Sequence, residues 1–251
     1  MKNVLNALAV LEEVAARQPI GVAELARAMD LPKSSVQRAL LTLHEAGWLR
    51  PTGGAPTRWA ITTKALHVGR HATGELGLRD VAVPVMEELR RQTDETVHLA
   101  VPEGGNVVLI ERLETSQPVR IILPLGQILP VHASANGKAL LAASPAEVVE
   151  RRIADGLASY TGTTIIDPAR LRAELARIRE LGYATNGGEW RADVSAVAAA
   201  VLGESGLPVA SVSINVPTSR TTEELRAVHG SLVAEAAKRI GAEVRRGSGV
   251  G

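Results

Sequence analysis

Residues 22–43, VAELARAMDLPKSSVQRALLTL, constrain the fold more than any other stretch of the chain. Val22, Leu25, Ala26 and Met29 recur at helical spacing and turn inward together. Asp30-Leu31-Pro32 then reads as a tight turn, because Asp tolerates the left-handed region and Pro is pre-set to open a helix. In the next helix Val36, Leu40 and Leu43 fall at i, i+4 and i+7, forming one buried stripe. Lys33, Ser34, Ser35, Gln37 and Arg38 are left on the outer edge near its N-terminus. That is where a recognition helix in the major groove meets base edges and phosphates. A plain surface hairpin would show the same apolar stripe, so the elements that follow decide between the two.

Before this pair, residues 2–17 form an amphipathic helix with Val4, Leu8, Leu11 and Ala15 on one side, ending before Pro19. After it, Gly47 stops the recognition helix. Trp48-Leu49-Arg50 and Arg58-Trp59-Ala60-Ile61 then flank the turn-rich PTGGAPT as a two-stranded wing. Arg50 and Arg58 stand at its base, placed for phosphates or the minor groove. Three helices and a hairpin make a winged helix-turn-helix, assigned to residues 1–62.

The net charge of +1 neither favours nor excludes nucleic acid, but its distribution is uneven: residues 1–80 carry a balance of +3 and the remainder −2. No cysteine occurs, which removes disulfides, thiolate metal sites and Cys nucleophiles. The N-terminal stretch is broken by Glu12, Glu13 and Arg17, unlike a signal peptide, and no apolar run approaches the ~20 residues of a membrane span. A soluble cytoplasmic protein is expected, with no metal and no cofactor. His67 and His71 have a metal-like spacing but no third ligand nearby, so a solvent-facing pair is the expectation.

Residues 63–77 read as a linker, helical through Thr73 and loosened from Gly74 to Gly77, before a helix over 78–92 opens the second domain, residues 78–245. There VHLAV, NVVLIERL and VRIIL are three β-rich runs. A helix follows in SANGKALLAA, with Ser134 as its cap. Gly137-Lys138 lacks the earlier glycine and the Ser/Thr of a phosphate loop. Asp167-Pro168 starts another helix, closed by Gly182. Strands over 197–202 and 209–216, a helix over 222–240 and a flexible Gly/Ser/Arg tail over 246–251 complete the chain. The order indicates an α+β domain around a mainly antiparallel sheet. Along 209–216, Ser211, Ser213 and Asn215 share one face, which meets either solvent or a small polar ligand. The helix opening at Asn136-Gly137-Lys138 supplies backbone N–H groups suited to a carboxylate.

The segments ELARAMDLPKSSVQRALLTLHEAGWL, HASANGKALLA, TGTTIIDPARLRAELARIRELGYA and VASVSINVPTSR, in that order, resemble the IclR family of bacterial transcription regulators over nearly the whole chain. The resemblance implies a winged helix-turn-helix joined by a helical linker to a GAF/profilin-like effector domain. It also implies a homodimer or homotetramer on palindromic operator DNA, repressing or activating in response to a small organic acid. Carried over by motif, the effector site includes Ala135, Asn136, Asn186, Ala196, Ser213 and Asn215. The sequence departs from the family pattern at Asp30, at Asp193 and across Asn186-Gly187-Gly188-Glu189, beside the bulky Trp190. With only 2% aromatic residues, little but Trp190 is available to stack an aromatic effector, which favours an aliphatic acid.

Two other functions compete with this reading. One is a DNA-binding protein whose second domain only oligomerises. The other is an enzyme acting on a small acid through His132, Ser134, His98 and Glu111, although no G-x-S-x-G elbow, zinc signature or dinucleotide fingerprint accompanies them.

Overall fold

The structure is a computed structural model that describes residues 2–69 and 74–248. It divides into two compact units, Met1–Gly74 and Glu75–Gly251.

In the first unit α1 (Lys2–Arg17), α2 (Val22–Ala28) and α3 (Lys33–Glu45) enclose a core built from Val10, Val14, Leu25, Val36, Leu40 and Leu43. α1 uses only part of the face its periodicity suggested: Leu11 packs against this core, but the rest of that stripe does not. Val10 and Val14 are buried, whereas Val4 is 65% and Leu8 50% exposed and Ala15 is also exposed. The helix carries two apolar stripes, and only the one lying on α3 is buried. Asp30 takes the left-handed conformation expected of it, with φ 50°. α3 ends in paired C-terminal bonds, Trp48 N–H to Leu43 O at 2.8 Å and Gly47 N–H to His44 O at 2.8 Å. That closure needs the φ of 78° that Gly47 supplies. The wing strands β2 (Leu49–Thr52) and β3 (Arg58–Ile61) form as expected, and β3 also pairs with a third strand, β1 (Ile20–Gly21). Two residues are too few for alternation to reveal β1.

α4 (Lys64–Gly69) follows; the rest of the expected linker helix, with His71, lies outside the described residues. α5 runs Gly74–Thr93, so Gly74 to Gly77 are helical rather than a loosened joint.

The second unit is a six-stranded antiparallel sheet, ordered β6-β5-β4-β9-β8-β7. Its strands are β4 (Thr96–Glu103), β5 (Asn106–Leu113), β6 (Ile128–Leu129), β7 (Ala184–Gly187), β8 (Val194–Leu202) and β9 (Pro208–Pro217). VRIIL is not a strand. Pro118 and Pro124 bracket it and offer no backbone donor to a ladder, while Ile121 and Leu123 still alternate inward as apolar anchors. The edge position falls to β6 instead. β7 and α7 (Ala146–Ala154) lie outside the sequence expectations: β7 is only four residues long, whereas α7 is clearly amphipathic, with Val149 and Ile153 turned to the core.

One face of the sheet packs on α6 (Ala135–Ala143) and α8 (Pro168–Leu181), the other on α5 and α9 (Glu223–Ser248). α9 extends through Arg246 to Ser248, so part of the expected flexible tail is helical. Ser134 caps α6 through Gly137 N–H at 3.0 Å, and Asp167 caps α8 through Arg170 N–H at 2.7 Å. Gly137 is obligatory for another reason: a Cβ there would overlap the Val131 backbone, so the close seating of α6 on its preceding loop depends on it.

Candidate DNA-reading helix and ligand-facing sheet

The apolar stripe of α3 anchors it on α1 and α2, which leaves Lys33, Ser34, Gln37 and Arg38 exposed and Ser35 half-buried. No side chain caps the helix start, and Ser35 and Val36 donate to Pro32 O, so the amides of Lys33 and Ser34 make no intrahelical bond. Free amides, a hydroxyl and a lysine at a helix N-terminus are groups chemically suited to a phosphate. Further along the outward edge Gln37 and Arg38 carry donors suited to base edges. Leu41, one turn on, is 50% exposed, an apolar side chain on the same edge that polar patterning alone does not reveal.

The two wing arginines differ. Arg50 is exposed on β2. Arg58 is held by Glu24 of α2 in a two-pronged pair (3.1 and 2.9 Å) and donates to Pro19 O at 2.9 Å. It therefore ties the wing to α2 and to the segment between α1 and β1, which its position in the sequence did not disclose.

In the second unit the six motif-derived positions converge on one face of the sheet and the helix above it. Asn186, Ala196, Asn215 and Thr96 lie in one cross-strand row over β7, β8, β9 and β4. Ala184, Ala198, Ser213 and His98 form the next row, and Ser211 stands in a third. Asn136 of α6 reaches down to Ser211 Oγ (3.0 Å), and Ala135 belongs to the apolar cluster around it. Asn186 donates to Ala133 O at 2.7 Å and accepts from Glu189 N–H at 2.9 Å. Asn215 donates to Ser213 Oγ at 3.0 Å. Ser211, Ser213 and Asn215 are all buried, so the polar face of β9 does not meet solvent.

Thr96 and His98 share this face, and the alternation along VHLAV could have placed them there once β4 was paired with β9. Thr96 Oγ1 and both ring nitrogens of His98 are buried without a protein partner. Burial, helped by the Arg112 charge, pushes His98 down to about 3, so the ring is neutral at ordinary pH. Buried polar atoms left unpaired cost about 1–3 kcal/mol each, a cost that a ligand supplying partners would offset.

Lys138 of α6 is fully buried and pairs with Glu189 (2.6 Å) and Glu174 (3.4 Å). Burial raises Glu189 against the pull of Lys138. For Glu174 burial also pushes upward, but Arg177 and Lys138 outweigh it and the carboxyl is lowered. The only fully buried cation among the described residues is thus matched within the protein and serves as a brace from α6 to α8 and the loop after β7.

The residues considered for catalysis are engaged separately. His132 Nε2 bonds Ala158 O (2.9 Å), Ser134 caps α6, and Glu111 pairs with Arg79. Among the described residues no three His, Asp or Glu side chains form a metal-binding group, and no helix is long and apolar enough to cross a membrane.

Two family models match this arrangement: the IclR helix-turn-helix domain over residues 4–53, and the bacterial transcriptional regulator IclR C-terminal domain over residues 70–242. The chain belongs to the IclR family. Transcriptional repressor IclR of Escherichia coli (strain K12) is 31% identical over 244 residues, covering 96% of this chain and 89% of that one. HTH-type transcriptional repressor AllR of the same organism is 34% identical over 220 residues, 87% of this chain and 81% of its own. Among solved structures, Thermotoga maritima IclR superposes with a TM-score of 0.82 at 26% identity, covering 97% and 99% of the two chains. An IclR homolog from Microbacterium hydrocarbonoxydans complexed with 4-hydroxybenzoate gives 0.81 at 27%, covering 96% and 99%. As an IclR-family member the chain is a DNA-binding transcription regulator, and its curated relatives are repressors rather than enzymes.

Proposed function

We propose that this IclR-family protein binds a palindromic operator as a dimer, or as a pair of dimers, and releases or engages it in response to a small organic acid held on the polar face of β9. The exposed polar edge of α3 above its buried stripe carries the DNA assignment. Ser35, Gln37 and Arg38 face base edges, with Leu41 available to a thymine methyl; Lys33, Ser34 and Arg50 hold phosphates. Arg58 fixes the wing and contributes to phosphate binding only through the donors that Glu24 leaves free. Self-association through α1 is supported by Val4, Leu5 and Leu8, exposed by 65%, 63% and 50% along one side of the helix.

The effector reading rests on Ala135 and Asn136 at the start of α6, with Asn186, Ala196, Ser213 and Asn215 below them. With the buried lysine already paired, the start of α6 is the natural seat for a carboxylate. The liganded Microbacterium relative binds an aromatic acid; here the scarcity of aromatic side chains favours a smaller, aliphatic one. Half-sites lie about 34 Å apart, so a small change in dimer geometry transmitted through α5 and the linker decides binding. The protein is expected in the cytoplasm, where its operator is.

Thermal-shift screening of the full chain against small organic acids, followed by operator binding with each hit, tests this reading. A hit that raises the melting temperature and changes operator affinity supports it. Acids that move neither quantity favour a second domain that only oligomerises.

A further inference from the structure

We infer that a second ligand site lies in the groove between the C-terminal ends of α6 and α8, the end of β8 and one stripe of α9, and that it takes a small carboxylate with an apolar chain. The groove has a volume of about 420 Å³, within the range of small-molecule sites. Its floor is made of short apolar side chains, including Ala142, Ala199 and Ala237. Its polar lining is of one sign: Arg179 from α8, Lys238 and Arg245 from α9, and no acidic residue.

The cations are placed by the fold. Residues 234, 238, 241 and 245 follow one another at helical spacing, so Lys238 and Arg245 flank Gly241 on one face of α9. A Cβ at Gly241 would come within 2.9 Å of Leu202 O, so glycine lets α9 lie close to the end of β8. Arg245 then spends one donor on Leu202 O (3.0 Å) and Arg179 one on Ala142 O (3.3 Å). Each guanidinium carries five donors, so both are held in position with capacity left over. Lys238 is exposed and its ammonium completes the charged side. An apolar floor beside two anchored guanidiniums and an exposed ammonium fits an anion with a hydrocarbon body, and disfavours a cation or a sugar.

This site is separate from the effector face. The groove touches α6 at Ala139, Ala142 and Ala143, whereas Ala135 and Asn136 lie at its start, roughly 5–12 Å earlier along the helix.

Calorimetry on the full chain with octanoate as probe and octylammonium as control tests the assignment. One saturable octanoate site per chain is expected, with octylammonium at least ten-fold weaker. Lys238→Ala combined with Arg245→Ala should weaken octanoate ten-fold or more, Ala234→Leu should block it, and Ser213→Ala should leave it unchanged. Lys238→Glu alters only an exposed charge and keeps the test valid if Ala234→Leu does not fold. Equal affinity for the two probes, no saturable binding, or an affinity untouched by the charge variants would overturn the proposal. So would loss through Ser213→Ala, which assigns the octanoate to the sheet face, or a changed sedimentation coefficient in Lys238→Glu, which makes the groove a contact between copies.

Discussion

α3 and β9 are both amphipathic by the same arithmetic, yet they meet opposite fates. In α3 the apolar stripe is covered and the polar edge is left open, so Gln37 and Arg38 keep their donors for another molecule. In β9 both faces are covered: Val212 and Ile214 lie against α5 and α9, while Ser211 and Ser213 lie beneath α6. A polar group on the exposed helix costs nothing to leave unpaired in water; one on the central strand must find a partner or carry a penalty. On the proposed function, the helix is therefore free to read a surface, and the strand is limited to a partner small enough to enter.

The largest effect that would sharpen this contrast is expected at Lys138. Lys138→Met leaves Glu189 and Glu174 without their buried cation and should destabilise the second unit by roughly 3–5 kcal/mol in denaturant unfolding. A loss below about 1 kcal/mol would show the brace to be dispensable. Leu40→Ala should cost about 2–5 kcal/mol in the first unit, because Leu40 is fully buried beneath the reading edge.

Arg38→Ala comes next and touches only the output. It should weaken operator binding by about 1–3 kcal/mol and relax specificity at one base position, with the melting temperature unchanged. An unaltered footprint and affinity would remove Arg38 from the base-reading set.

His98 gives a pH signature of the buried face. Its pKa falls from 6.5 to about 3 on folding, so below pH 6.5 the unfolded chain takes up a proton that the folded one refuses. Stability is therefore fully present above pH 6.5 and is lost toward pH 3, at up to roughly 1.4 kcal/mol per pH unit from this residue. His132 and His229, also lowered by burial, act in the same direction. His98→Gln should flatten the slope of unfolding free energy against pH in that window; an identical slope would mean His98 is accessible to protons in the native state.

The smallest effect separates the wing arginines. Arg50→Ala should lower the salt slope of operator binding by about one, whereas Arg58→Ala should change it less and cost at most about 1 kcal/mol of stability, since its ion pair is partly exposed.

Much of this was legible in the sequence because several signals are local. The α3 stripe, the Asp30 turn, the Gly47 stop and the caps at Ser134 and Asp167 each depend on neighbours within a few residues. What was not legible depends on distant partners. VRIIL has strand composition, but the prolines around it and the competing pairing of β6 exclude it from the sheet. α1 offers two apolar stripes, and only the packing of α3 selects Val10 and Val14. Arg58 is placed at the wing base by sequence, but its pairing with Glu24, far off in sequence, is not visible there. The polar row of β9 was found by alternation, but its burial, and the inclusion of Thr96 and His98, required knowing that β9 lies between β4 and β8.

The account divides labour between the open helix and the closed strand, and operator affinity measured with and without an acid found by thermal shift tests that division most directly. Arg38→Ala should lose operator affinity while keeping the acid-induced melting shift. Ser213→Ala combined with Asn215→Ala should keep operator affinity and lose the response to the acid. An Arg38 variant that binds normally, or a Ser213–Asn215 variant that still responds, would contradict it.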